Sequence, residues 1–323
     1  MSARMTVAAC APKWYAADCF DAVEERCRRL IKAAGACEDP IFDEAARAAA
    51  YHLNAGGRRI RARLALDAAF HLGLSAATAI TIATTTELLH NASLVHDDLQ
   101  DRDSGRRGAA TVWKAFSDEA AICTGDLLLS SAYAALAELD DLTRLPQMLM
   151  LVHARTAAAI QCQSADIAHR TKPVENIETY LKIAAGKSGA LLSLPLELAL
   201  LAAGFEDAIG RAHDAAIAFA IGYQIADDLD DIEKDVGCAN KRSALNIALL
   251  LQCNANANAD AYGLAGDVGT SAVNDDESDT AVRQYCTALA RKHLAVAVEV
   301  CATLPRHCGS MLSQLAVDLG ARL

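Results

Sequence analysis

From Ala17 onward, apolar residues recur every three or four positions, the spacing of amphipathic helices packed on a core. The pattern predicts helices over 17–34 and about 42–53, 59–73, 76–98, 118–137, 142–168, 175–186, 188–203, 207–231, 241–252 and 280–302. Short loops bearing Gly, Pro, Asp or Ser join them. No stretch alternates apolar and polar residues as a half-buried strand does. Two segments stand outside the pattern. Residues 1–13 read as a loose tail, and residues 254–280, rich in Asn, Ala, Gly, Asp and Ser, have little to bury and read as a mobile surface loop. The most apolar run, 190–203, is broken by Pro195 and Glu197 and is shorter than the ~20 residues a bilayer span needs, so a buried helix is expected.

Composition strengthens the helical reading. Of 323 residues, 53% are hydrophobic and only 5% aromatic, with Ala and Leu dominant, residues that lose little side-chain freedom in a helix. An all-α fold is therefore expected, as a single domain over 1–323. The net charge of −11 argues against a nucleic-acid partner and against bulk attraction to anionic membranes, so an anionic ligand must be held locally. Eleven cysteines, none in a C-x-x-C pair, suggest neither a disulfide framework nor a zinc ribbon. A reducing cytoplasm is the expected location, because the N-terminus lacks a signal-peptide core and no transmembrane segment is predicted.

Two acidic clusters carry the candidate chemistry. In HNASLVHDDLQDRDSGRRG, Asp97 and Asp101 lie four apart with Asp98 between them, at the end of a long apolar helix. In YQIADDLDDIEKD, Asp227 and Asp231 repeat that spacing with Asp228 beside them. Carboxylates at i and i+4 share one helical face and repel, and the negative end of the helix dipole adds to the cost. A divalent cation would remove the conflict; the alternative is a solvated acidic helix end. Hard oxygen donors without Cys or His suit Mg²⁺, which keeps waters and is completed by substrate phosphates, and neither segment has the register of a calcium loop.

Basic residues accompany the acids. Gly56-Gly57-Arg58-Arg59-Ile60-Arg61 joins a Gly-Gly turn to a helix start, and Arg106-Arg107-Gly108 follows the first cluster. Arginine's planar fork binds phosphate oxygens through paired hydrogen bonds, and Lys187 and Lys241 offer further charges. Neutralisation of nearby surface acids is the competing reading of these arginines.

With these motifs in order, the chain resembles the trans-isoprenyl diphosphate synthases, or polyprenyl synthetases, from about Gly56 to Asn246. The resemblance rests on Gly56 to Ala62, Asp97-Asp98-Leu99-Gln100-Asp101 with Arg106-Arg107-Gly108, Gly125-Asp126, Lys187-Ser188, and Tyr223-Gln224-Ile225-Ala226-Asp227-Asp228-Leu229-Asp230-Asp231. It implies the isoprenoid synthase fold, a bundle of antiparallel helices around a deep central cavity, in a homodimer, with the two aspartate motifs facing each other. It implies three Mg²⁺ per site, with Asp97, Asp101 and Asp227 as direct ligands and Asp98, Asp228 and Asp231 in support. By the same resemblance, Arg106, Lys187 and Lys241 hold an allylic diphosphate, while Arg58, Arg61, His90 and Arg107 hold isopentenyl diphosphate. Gln224 and Ser188 direct oxygen dipoles at the allylic cation.

Product length is expected to depend on the helix leading to Asp97. Ala92 and Ser93 are small, where relatives that stop at fifteen carbons place an aromatic ring. Leu89, or Thr85 and Thr86, would form the floor instead, so a C20 product or a longer chain is expected. Arg58, Ala62 and Ser188 stand where the family pattern has Lys, Pro and Thr, and Cys238-Ala239-Asn240-Lys241 departs from its usual Gly-Lys. Two rivals remain. A class I terpene cyclase would have no use for the Gly56 to Arg61 segment and normally mixes Asn, Ser and Glu in its second metal motif. A non-catalytic subunit of a heteromeric synthase tends to lose one aspartate motif, and both are present here.

Overall fold

The computed structural model describes residues 16–34, 43–169, 176–236, 246–251 and 275–323. They form α1 (Ala16–Ala34), α2 (Glu44–Asn54), α3 (Ile60–Leu72), α4 (Ala76–Asp101), α5 (Val112–Ala115), α6 (Asp118–Leu136), α7 (Leu145–His169), α8 (Ile177–Ala184), α9 (Ala190–Ala203), α10 (Ile209–Val236), α11 (Asp275–Ala302) and α12 (Ser310–Gly320). The all-α expectation holds. Strand structure among the described residues is confined to a ribbon of β1 (Gly105–Arg106) and β2 (Ala109–Ala110), too short for a periodicity argument to detect. The pattern also left α5 and α12 unmarked, and α11 begins at Asp275, inside the segment expected to be a loop. The tail 1–13, Lys241 and residues 254–274 lie outside the described residues.

Contacts divide the chain into two compact units. The first comprises Met1–His153, Leu194–Gly210 and Leu304–Met311. Its centre is α4, which packs against α6, α3 and α1. Ala62, Ala65, Ala68 and Ala69 of α3 and Ala121, Ala132 and Ala135 of α6 are fully buried. Small side chains let helix axes approach closely, which is how a core this poor in aromatics closes. Ser75 starts α4 by accepting the Thr78 N–H at 3.1 Å, and Gly73, with φ +79°, ends α3. Replacing a sealed residue such as Leu88 with Ala would cost about 2–5 kcal/mol.

The second unit comprises Ala154–Ser193, Arg211–Thr303 and Leu312–Leu323. Tyr180, Ile183, Ile221, Ile225, Ile247, Leu251, Val282, Cys286 and Ala290 form its core. A π-helical turn, Ala185–Gly189, joins α8 to α9, so the helix is continuous over 177–203 where a break near 187 was expected. That span is long and apolar enough to cross a membrane by length and composition, but 78% of its window is buried inside the protein, as in a core helix.

Candidate active site

In the first unit α4 runs unbroken through all three acids of the first motif and stops at Arg102, whose positive φ of 58° turns its N–H back to the Asp98 and Leu99 carbonyls. Asp97 and Asp101 are therefore one turn apart on one face, while Asp98 is rotated by about 100° toward the interior. Asp98 is 1% exposed, and its oxygens accept from Arg106 Nε at 2.7 and 3.0 Å, with Nη2 at 2.6 Å. Burial pushes the Asp98 carboxyl up, against the Arg106 hydrogen bonds that favour its charged form. Asp97 and Asp101 remain partly exposed.

The R-R-G segment is the tip of the β1–β2 ribbon, with Gly105 opposite Ala110 and Arg106 opposite Ala109. Arg107 and Gly108 have φ of +53° and +80°, the pair of left-handed residues that a tight hairpin turn requires. That turn sends Arg106 to Asp98 and Arg107 to the Gly56 carbonyl. A Cβ on Gly57 would lie 2.5 Å from the Arg107 guanidinium carbon, and Gly57 has φ +129°. Only glycine satisfies both conditions. The ribbon is fastened through Tyr51, whose hydroxyl donates to the Ala110 carbonyl at 2.9 Å, and through Trp113 and Thr111, which donate to the Asp103 carbonyl.

Arg58 is exposed and Arg61 half-buried, but Arg59 between them is sealed, donating to Glu87 at 3.1 Å and to the Leu53 carbonyl at 2.6 Å. Asn91 donates to the same Glu87 carboxylate at 3.0 Å, which leaves its Oδ1 to accept from His52 Nε2 at 3.1 Å. Burial, then the charges of Arg107 and Arg106, lower the His52 pKa to about 4. Burial, then the charges of Arg61, Arg107 and Arg106, also lower the His90 pKa well below the ordinary imidazole value, and its Nδ1 is buried without a hydrogen-bond partner among the described residues. An uncharged imidazole among arginines offers one donor and one acceptor nitrogen.

The second unit repeats the division of labour. Asp228 is 5% exposed and accepts from Tyr180 Oη at 2.6 Å, Gln224 Nε2 at 2.8 Å and the Ile247 N–H at 2.9 Å. Burial pushes its carboxyl up to about 7, opposed by these three donors and assisted by the neighbouring Asp227 charge. Asp227 is exposed and Asp231 half-buried. Gln224, expected to face an allylic cation, here spends its amide nitrogen on Asp228. Lys187 and Ser188 sit in the π-helical turn, and Lys187 Nζ lies 2.7 Å from Asp166 Oδ2 of α7. A Cβ on Gly186 would meet Cys162 Sγ at 2.0 Å, so the turn is pressed against α7.

The positions tied to product length lie on α4. Leu89 and Ala92 are buried, as are Thr85 and Thr86, which donate back to the Thr81 and Ile82 carbonyls. Ser93 is half-buried and donates to the His90 carbonyl at 2.8 Å. Sequence reasoning missed Tyr180, Asp166, Asn246 and the Arg59–Glu87–Asn91–His52 chain. Glu87 alone left a signal, as the only charged residue in α4 before Asp97. Among the described residues no three His, Cys, Asp or Glu side chains converge on one point.

Comparison with known proteins follows the same motifs. The chain is 35% identical over 177 residues to a (2E,6E)-farnesyl diphosphate synthase of Mycobacterium tuberculosis, covering 54% of this chain and 48% of that one. It is 28% identical over 199 residues to the octaprenyl diphosphate synthase of Haemophilus influenzae, covering 61% and 59%. The matches thus span only about half the length of these curated relatives. The structure resembles that of a geranylgeranyl pyrophosphate synthetase from the archaeon Geoglobus acetivorans, with a TM-score of 0.76 and 23% identity over 94% of this chain and 98% of that one, a likeness of fold. The polyprenyl synthetase family model matches residues 43–249, which hold both aspartate motifs and both arginine segments, and the chain belongs to that family.

Proposed function

We propose that this chain is a Mg²⁺-dependent trans-prenyltransferase that joins isopentenyl diphosphate to an allylic diphosphate, lengthening it by five carbons. The observation that carries the reading is the shared architecture of the two D-D-x-x-D motifs. Each buries its central acid on neutral or cationic donors and keeps the flanking pair, Asp97 with Asp101 and Asp227 with Asp231, at least partly exposed, which supports a cation site there. Hard carboxylates with no thiolate or imidazole fit Mg²⁺, and three ions per site is our expectation. Bound there, Mg²⁺ would neutralise the charge that develops on a departing diphosphate.

The chain's own residues do the rest. Asp97, Asp101, Asp227 and Asp231 supply the cation sites, with Asp98 and Asp228 fixing the two helices from inside. Arg58, Arg61 and Arg107 with neutral His90 bind the isopentenyl diphosphate. Arg106, Lys187 and Lys241 bind the allylic diphosphate, Arg106 and Lys187 by exchanging Asp98 and Asp166 for phosphate oxygens. Ser188 and Gln224 orient oxygen dipoles toward the allylic carbon. No nucleophilic side chain is needed, because the homoallylic double bond attacks the cation and the released diphosphate accepts the proton. Small side chains at Ala92 and Ser93 favour a C20 or longer product. The chain would act as one synthase domain, in a homodimer checked by light scattering.

The decisive assay supplies purified protein with isopentenyl diphosphate and dimethylallyl, geranyl or farnesyl diphosphate, with and without Mg²⁺. Chromatography of the dephosphorylated alcohols should show a product extended by five-carbon steps, lost on chelation. A cyclic hydrocarbon formed without isopentenyl diphosphate would make it a terpene cyclase, and no turnover by the chain alone would make it a non-catalytic subunit.

A further inference from the structure

Asp228 is an expensive residue in its setting. It is buried in the second unit, and each of the three donors that the described residues supply to its carboxylate, Tyr180, Gln224 and the Ile247 N–H, is neutral. A buried carboxylate with no cationic partner among the described residues is a poor choice for stability alone, since well-packed apolar residues at such a position are usually at least as stable. What it achieves is geometric. Its Oδ2 is shared between the Tyr180 hydroxyl of α8, at 2.6 Å, and the N–H that opens the helical stretch 247–251, at 2.9 Å. Asn246 closes the same knot from the other side. Its amide donates to the Asp228 carbonyl at 2.9 Å, and its Oδ1 accepts from the Ala248 and Leu249 N–H groups at 2.9 and 3.3 Å.

Two other segments, α8 and residues 247–251, therefore meet on one side chain of α10. Fixing Asp228 inward fixes the rotation of α10 about its axis, and with it the direction of Asp227, one position before it, and Asp231, three positions after it, on a helix that turns about 100° per residue. Tyr180 is fully buried and stands seven residues before Lys187, in the helix that leads straight into its π-helical turn.

We propose that Tyr180 is a positioning residue which, through Asp228 and together with Asn246, sets the orientation in which α10 presents Asp227 and Asp231 to a divalent cation bound with diphosphate. This deepens the functional reading above and rests on it. The hydroxyl acts from outside the site. Removing it should leave the carboxylates chemically intact but loosely aimed, and loss of a buried group that orients a metal ligand typically weakens binding 10- to 100-fold.

The test compares full-length wild type, Tyr180→Phe and Leu251→Ala, the last a cavity in the same core at a residue that makes none of the knot's hydrogen bonds. Calorimetric titration of Mg²⁺ in the presence of inorganic diphosphate reads the binding midpoint without turnover, and thermal unfolding reads the fold. The expected result is a Mg²⁺ midpoint raised roughly tenfold in Tyr180→Phe, with a melting temperature no lower than that of Leu251→Ala, whose midpoint stays at the wild-type value. An unchanged midpoint in a Tyr180→Phe protein that merely melts earlier would overturn the proposal. Should that variant not fold, Asn246→Ala loosens the knot from its other end and must shift the midpoint in the same direction; if neither folds, the knot serves stability and the proposal falls. A wild type that neither binds Mg²⁺ with diphosphate nor elongates a prenyl chain overturns the functional reading itself, a failure distinct from an unmoved midpoint in an active enzyme.

Discussion

Of the three arginines between Gly57 and Ala62, the middle one is withdrawn from solvent, and its partners decide what its neighbours can do. Arg59, with φ of +49°, is tied to Glu87 and the Leu53 carbonyl, so the chain leaves Gly57 in one direction only and Arg58 and Arg61 follow. Gly57→Ala should push the Arg107 guanidinium off the Gly56 carbonyl while also straining the backbone. The expected outcome is a KM for isopentenyl diphosphate raised about tenfold or more with kcat much less affected, checked by steady-state kinetics at saturating allylic substrate. His52 gives a pH signature. Its folded pKa of about 4 lies below the unfolded value of about 6.5, so the unfolded chain binds the proton first as pH falls. This contribution to stability is complete above about pH 6.5 and declines toward pH 4. Because Asp228 and His90 titrate in both proteins, the His52 contribution is the difference between them: on going from pH 7 to pH 5, denaturant unfolding should show wild type losing on the order of 2 kcal/mol more than a folded His52→Gln variant.

At the scale of elements, the helices carrying the motifs were legible because their apolar spacing is long and regular. The limits of α3, α4 and α6 fall within three residues of expectation. The acids themselves were legible as i,i+4 pairs, but their inequality was not. Whether Asp98 and Asp228 face in or out depends on Arg106 arriving from the ribbon and Tyr180 from α8, partners at sequence separations that no local period encodes. The π-helical turn escaped for a related reason. Gly186 and Lys187 read as a helix break, whereas close packing on Cys162 lets the helix continue with one wide turn. Gly186→Ala should therefore displace the turn and Lys187 with it, raising the KM for the allylic substrate and lowering the melting temperature by several degrees. On α4, Ser93 is the more informative product-length position. It is half-buried, so a ring there avoids the overpacking that Ala92→Phe would impose. Ser93→Phe is expected to shift the alcohols toward a shorter chain, and an unaltered distribution would place the length-limiting contact elsewhere.

For the whole molecule, the question is whether the two carboxylate pairs serve one event. Each belongs to its own compact unit, and within each unit the central acid is committed to internal bonds. If both pairs hold cations for a single allylic diphosphate, then neither retains its value once the other is gone, because a partly neutralised leaving group gains little from the remaining half. Kinetics can read this from free energies alone. Asp97→Ala and Asp227→Ala should each lower kcat by roughly 10²- to 10³-fold, and the double variant should fall far short of the product of the two losses. Independent pairs would give losses that multiply, since the effects of separate, uncoupled groups add in free energy. Comparable melting temperatures for the four proteins would assign the interaction to chemistry. Multiplying losses would sink the single-diphosphate reading even in an enzyme that elongates.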